Sequence, residues 1–142
     1  KATHGARLLS ERQLVPQPLL SADTTLDFDG EIIGKPGDEN EATRILTRLS
    51  GRSHRVLTAV AMTHGTHLEH VLSVSTVHFR DLSKDEIHRY VLSGEPLDKA
   101  GAYAIQGYAA IFVTEIHGSH SGIVGLPLCE TAQLLRRFGC LV

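Results

Sequence analysis

Between Arg55 and Phe79 the chain runs as two β-patterned stretches, Arg55 to Thr63 and Leu68 to Phe79, joined by a turn of His and Gly residues. Strands of this length do not stand alone: an isolated hairpin is marginal in water and needs more strands or a covering helix. The sequence offers both. Leu19 to Ala22 reads as a short buried strand, and Leu26 to Ile33 as a hairpin turning at Asp29-Gly30, a dipeptide suited to a two-residue turn. Asp38 to Ser50 reads as a helix with Asp38 at its N-cap, Glu41 three residues on, and Ala42, Ile45, Leu46 and Leu49 on one face; Gly51 stops it. Ser83-Lys84-Asp85-Glu86 is a capping box opening a helix with Ile87, Tyr90 and Val91 inward, ended by Gly94.

The remaining segments are shorter. Residues 3–18, with Gly5, Pro16 and Pro18, read as a helix end and a connector. Ala109 to Ile116 reads as an apolar strand and Gly118 to Gly122 as a turn. Pro127 opens a last helix with Leu128, Ala132, Leu135 and Phe138 inward, closed by Gly139. Strands interleaved with helices predict an α/β fold: a single domain with a mixed central sheet flanked by helices.

Composition narrows the function classes. A chain of 142 residues with 42% hydrophobic and 21% charged residues can bury a core without metal or disulfide support. A net charge of −2 provides no basic field for nucleic acid. No apolar run approaches a membrane span, and no signal-peptide pattern opens the chain. Cys129 and Cys140 have neither metal-ligand nor redox spacing and read as buried thiols of a cytosolic protein, a disulfide being the weaker reading.

Chemistry concentrates between Gly94 and Gly107, where Asp98, Lys99 and Gln106 stand among three glycines. Glycine permits close backbone approach to a ligand, while the polar side chains supply charge and hydrogen bonds. Asp23, after the first strand, is either a base held toward a cleft or a turn cap on the backbone of Thr24-Thr25. Gln106 and Thr24 read from spacing alone as a loop cap and a strand turn. Lys35 and Lys99 are candidate phosphate binders, against the ordinary reading of solvated surface charges.

Nine histidines raise the question of a metal, His64, His67 and His70 above all. At helical spacing they would share a side. The surrounding Val, Leu, Ser and Thr residues read as a hairpin, however, and in a strand residues three apart face opposite ways. The Glu of a His-Glu-x-x-His motif is also missing. A histidine metal site is a third reading behind those below; His117 and His120 read as surface residues of a turn.

Four segments in order carry a resemblance: Ala22-Asp23-Thr24, Gly34-Lys35-Pro36, Glu95-Pro-Leu-Asp-Lys-Ala-Gly-Ala-Tyr-Ala-Ile-Gln-Gly107 and Val124-Gly-Leu-Pro-Leu128. From Leu19 onward the chain resembles the Maf family of nucleotide pyrophosphatases. Ala104 stands where glycine is common in that family. The resemblance implies cleavage of a nucleoside triphosphate between the α and β phosphates. Ala-Asp-Thr together with Ala-Tyr-x-Ile-Gln-Gly is similar to the branch acting on dTTP and UTP, which limits incorporation of non-standard pyrimidine nucleotides. The sister branch acting on 7-methyl-GTP shows Ser-Asp-Gln and Ser-Glu-Gly in those places.

The resemblance further implies Asp23 as catalytic base, Thr24 and Gln106 as readers of the base ring, and Lys35 and Lys99 on the phosphates. Lys1 would be a family helix-end lysine facing phosphate. Asp98 is left open between pairing near Lys99 and holding a metal through water. A divalent cation, Mg²⁺ or Mn²⁺, a cytoplasmic location and a homodimer are implied as well. Relatives also carry an N-terminal strand and an Arg-rich Ser-x-Ser-Pro-Arg-Arg loop, so residues 1–142 are expected to be the domain without that segment. The alternative function is a catalytically impaired nucleotide-binding protein linked to regulation of septum formation in dividing cells.

Overall fold

The computed structural model describes residues 1–13, 15 and 17–141; Pro16, part of the expected connector, lies outside the described residues. Helix α1 (Ala2–Glu11) precedes strand β1 (Leu19–Phe28), which turns into β2 (Glu31–Ile33). Helix α2 (Glu39–Leu49) leads to the long pair β3 (Ser53–His64) and β4 (His67–Phe79). Helix α3 (Lys84–Leu92), three short 3-10 turns (Glu95–Asp98, Ala100–Ala102 and Tyr108–Phe112), strand β5 (Val113–His117) and helices α4 (His120–Val124) and α5 (Leu128–Arg137) complete it.

The α/β domain with helices flanking a central sheet is as expected, but the sheet is not mixed. Its order is β2-β1-β3-β4-β5, and each pairing is antiparallel. The reason lies in the α2 connection. It carries the chain across β1, so β2 and β3 run in the same direction on opposite sides of β1 and never meet.

Local chemistry explains the elements. Asp29 and Gly30 both take positive φ, 55° and 85°, as the tight β1–β2 turn requires. Asp38 accepts from the Glu41 N–H at 2.7 Å, and Ser83 and Glu86 complete a reciprocal capping box on α3. Arg80, with a lesser share from Ser83, holds the Glu86 carboxyl down to about 2. On β3 the even-numbered residues from His54 to Met62 are buried, while Arg55 and Ala59 face out. The apolar core gathers Val56 of that strand with Leu46, Leu49, Ile87, Tyr90 and Phe112.

Some expected boundaries move. Leu19 to Ala22 is the first part of a single ten-residue β1 that continues into the hairpin. Of the stretch expected as a strand from Ala109, the first turn is 3-10 and only Val113 onward pairs with β4. The expected turn at Gly118–Gly122 contains the start of the short helix α4, with the Ser119 hydroxyl accepting from the Gly122 N–H. On α5 the buried residues are Thr131 and Leu134. Ala132, Leu135 and Phe138 are half-buried and Leu128 is exposed, so the inward face is turned by about one residue from the expected one. Cys129 is exposed rather than buried and Cys140 half-buried; Cys140 falls beyond the end of α5.

Two features fix the loops that later form the site. Gly101 adopts φ of +73° and donates its N–H to the Gly34 carbonyl at 3.0 Å, while a Cβ on it would stand 2.3 Å from Leu26 Cδ1. His54, in the core, places Nε2 2.8 Å from the Tyr103 hydroxyl and packs edge-on against Phe79. Burial, with the nearby His78 as a lesser cause, pushes the His54 pKa down to about 4.

Both features can be tested by unfolding. Gly101→Ala combines left-handed strain with a clash against Leu26, and should cost about 2–5 kcal/mol in urea unfolding. An unchanged midpoint would contradict the close approach. For His54, the unfolded chain binds a proton near pH 6.5 while the native chain refuses it until about pH 4. Stability due to a neutral His54 is therefore intact above pH 6.5 and lost as pH falls toward 4, by up to about 3 kcal/mol. Urea midpoints measured at pH 7, 5 and 4 should fall less in His54→Gln than in the parent chain; parallel declines would refute a buried neutral ring.

Candidate active site

Strand β2 covers only the Leu26–Phe28 part of β1. From Leu19 to Thr25, β1 is paired with β3 on one side, and among the described strands none pairs its other edge. A cleft of about 250 Å³ opens along that edge. Asp23, Thr24, Lys35, Lys99 and Gln106 all line it; Lys1 lies outside this lining, in a neighbouring depression that Asp23 also borders.

Asp23 is not at a strand end. It lies inside β1 in register with Ala59 rather than in a turn, although its carboxylate does accept from the Thr24 N–H, the local contact that the capping reading named. Its carboxylate, 70% exposed, is paired with the Lys1 ammonium, whose hydrogen bond holds the Asp23 pKa below the ordinary carboxylate range. Next to it, Thr24 Oγ1 contacts Thr58 Oγ1 of β3 at 2.9 Å. Gly34-Lys35-Pro36 follows β2 and reaches the cleft through the Gly101–Gly34 hydrogen bond. Asp98 is paired with Lys99 at 2.7 Å. The Lys99 hydrogen bond lowers the Asp98 pKa, with Lys35 adding a smaller share.

The wall of the cleft is held by groups that carried no role in the sequence reading. Tyr90 donates its hydroxyl to Glu95 Oε1 at 2.8 Å and accepts from the Ala104 N–H at 3.2 Å. Burial, with Glu95 as a second cause, pushes the Tyr90 phenol well up, so it stays a donor. Glu95 also accepts from the Tyr108 N–H at 3.1 Å, and Gly107 lies so close that a Cβ would meet the carboxylate at 2.4 Å. Gln106 is thus presented from a loop pinned on both sides. The Val124–Leu128 segment contributes Val124 and Gly125 to the cleft, and a Cβ on Gly125 would stand 3.5 Å from Thr24 Oγ1. Glu95 could have been noticed as the first residue of its motif. Thr58 could have been noticed as a hydroxyl at an inward position between Val56 and Val60.

The histidines are dispersed. His64 and His67 face each other across the β3–β4 turn, and His67 bonds Glu69 and packs edge-on against Phe138. Among the described residues, no group of three or more His, Cys, Asp or Glu side chains is placed to hold an ion. The cleft's own carboxylates are Asp23 and Asp98, both oxygen donors of the kind that suits Mg²⁺ or Mn²⁺.

A family profile described as Maf-like protein matches residues 1–138. A dTTP/UTP pyrophosphatase of Dechloromonas aromatica is 58% identical over 139 residues, covering 98% of this chain and 69% of its own length. Proteins of the same name from Aromatoleum aromaticum and Cupriavidus pinatubonensis are 58% and 55% identical, covering 98% and 96% of this chain and each 68% of their own length. With a family match across nearly the whole chain and the motifs gathered at one cleft, the chain belongs to the Maf family.

Proposed function

We propose that this chain hydrolyses dTTP and UTP to the monophosphate and pyrophosphate. The observation that carries the proposal is the convergence of Asp23, Thr24, Lys35, Lys99 and Gln106 on one cleft, in a chain whose relatives bear the name dTTP/UTP pyrophosphatase. Asp23 orients the attacking water and accepts its proton. Lys35 and Lys99 neutralise charge on the phosphate oxygens, and Thr24 with Gln106 reads the pyrimidine edge. Positioning and electrostatics carry most of a phosphoryl transfer of this kind.

The ion pairs suit that task. Lys1–Asp23 and Lys99–Asp98 are exposed pairs, which are individually weak. An arriving triphosphate competes for both lysines and frees both carboxylates. Since the Lys1 hydrogen bond is the largest cause of the low Asp23 pKa, its departure raises the proton affinity of the base as substrate binds.

A divalent cation, Mg²⁺ or Mn²⁺, is part of the proposal. Such ions bind through one or two carboxylates together with substrate phosphates, and Asp98, with Asp23, offers the carboxylates. The bound ion would supply charge neutralisation at the phosphates. A homodimer is proposed with the open face of the sheet as its surface, supported by the exposure of Leu68, Leu72 and Val74 on β4. A cytoplasmic location is proposed as well; the two free cysteines suit a reducing compartment.

Pyrophosphate release from dTTP, UTP, CTP and GTP tests the activity. Asp23→Asn should lower kcat by about 100-fold or more, as loss of a general base does. Lys99→Met should raise KM for UTP more than it changes kcat. Full turnover by Asp23→Asn would exclude the role assigned to that carboxylate.

A further inference from the structure

Base reading at Thr24 depends on which way its hydroxyl points, and that is decided one strand away. Thr58, in cross-strand register with Thr24, is 1% exposed and places Oγ1 2.7 Å from the Gly122 carbonyl oxygen of α4. A carbonyl has no hydrogen to give, so at this separation Thr58 is the donor. A hydroxyl has a single hydrogen. With it committed to Gly122, Thr58 can only accept from Thr24, 2.9 Å away. The hydrogens therefore run from Thr24 to Thr58 to Gly122, leaving Thr24 Oγ1 only lone pairs for the cleft it lines.

We infer that Thr58 is a specificity-determining residue: by fixing Thr24 as an acceptor, it makes the site select a ring with an N3–H, uracil or thymine, and reject cytosine. The inference rests on the pyrophosphatase reading for the identity of the ring-binding site. Uracil and thymine carry a hydrogen on N3, which Thr24 can accept. Cytosine has a lone pair on N3, which would face the lone pairs of Thr24. Gln106 cannot make this distinction alone, because a half-turn of its carboxamide exchanges donor and acceptor. A discriminating group must be unable to reverse, and the contact with Thr58 supplies that constraint. Thr58 touches no ligand; it acts by positioning.

Calorimetric titration with UMP and CMP tests this without requiring turnover. The parent chain should bind UMP at least about tenfold more tightly than CMP, in line with one well-placed bond gained and one repulsive contact avoided. Thr58→Val, nearly isosteric, frees the Thr24 hydroxyl to rotate and should bring the two affinities within about threefold of each other. Thr58→Ser should retain the parent ratio. A folded Thr58→Val that keeps the full preference, or loses affinity for both nucleotides equally, overturns the inference. N3-methyl-UMP on the parent chain gives a check independent of any variant's folding: affinity equal to that of UMP overturns it as well. A chain that discriminates UMP from CMP in this way yet releases no pyrophosphate keeps the inference and loses the pyrophosphatase reading.

Discussion

The site depends on a strand left half-paired. β2 is only three residues long and covers β1 from Leu26 to Phe28. Among the described residues, the stretch just before it, Ala22 to Thr25, therefore keeps one edge unpaired by any strand while β3 holds the other rigidly in register. A side chain on such a strand has a fixed backbone yet faces an open cleft, the combination that positioning catalysis needs. The loops that wall the cleft are held against this edge by the Gly101–Gly34 hydrogen bond and by the close approach of Gly101 to Leu26. Two motifs far apart in sequence thus become one surface through a glycine with positive φ.

The ion pairs of the cleft are exposed and suit the exchange proposed for them better than they suit a role in stability. The carboxylates of Asp23 and Asp98 are both exposed, and each has a lysine partner. Exposed pairs of this kind contribute little to folding, so giving them up to a polyphosphate costs little. The strong constraints lie beneath, in the hydrogen bonds of buried and half-buried groups. Tyr90 with Glu95 pins the Gln106 loop, His54 meets Tyr103, and Thr58 links Thr24 to α4. Exchangeable ion pairs above a rigid hydrogen-bonded floor are the arrangement that the proposed roles of Lys99, Thr24 and Gln106 require.

Much of this was legible in the sequence because it is local. The Asp29-Gly30 turn, the Asp38 cap and the Ser83/Glu86 capping box follow from chemistry within a few residues. The candidate residues were found through ordered motifs, and their convergence on one cleft needed the fold. What escaped was set by tertiary partners. Whether the Ala109–Ile116 stretch is turn or strand depends on where β4 offers an edge, which begins only at Val113. The antiparallel sheet depends on where the α2 connection delivers β3. Thr58 looks like any β-branched strand residue until the Gly122 carbonyl is brought to its hydroxyl.

The central claim is that the free edge of β1 forms a nucleotide site. Backbone amide NMR of the ligand-free chain titrated with UMP tests it most directly. The account predicts that the perturbed amides cluster at Thr24, Gly101, Gln106 and Gly125, around one cleft. Shifts confined to the other end of the sheet, near Gly30, Ser53 and Thr76, with those four amides unmoved, would contradict it.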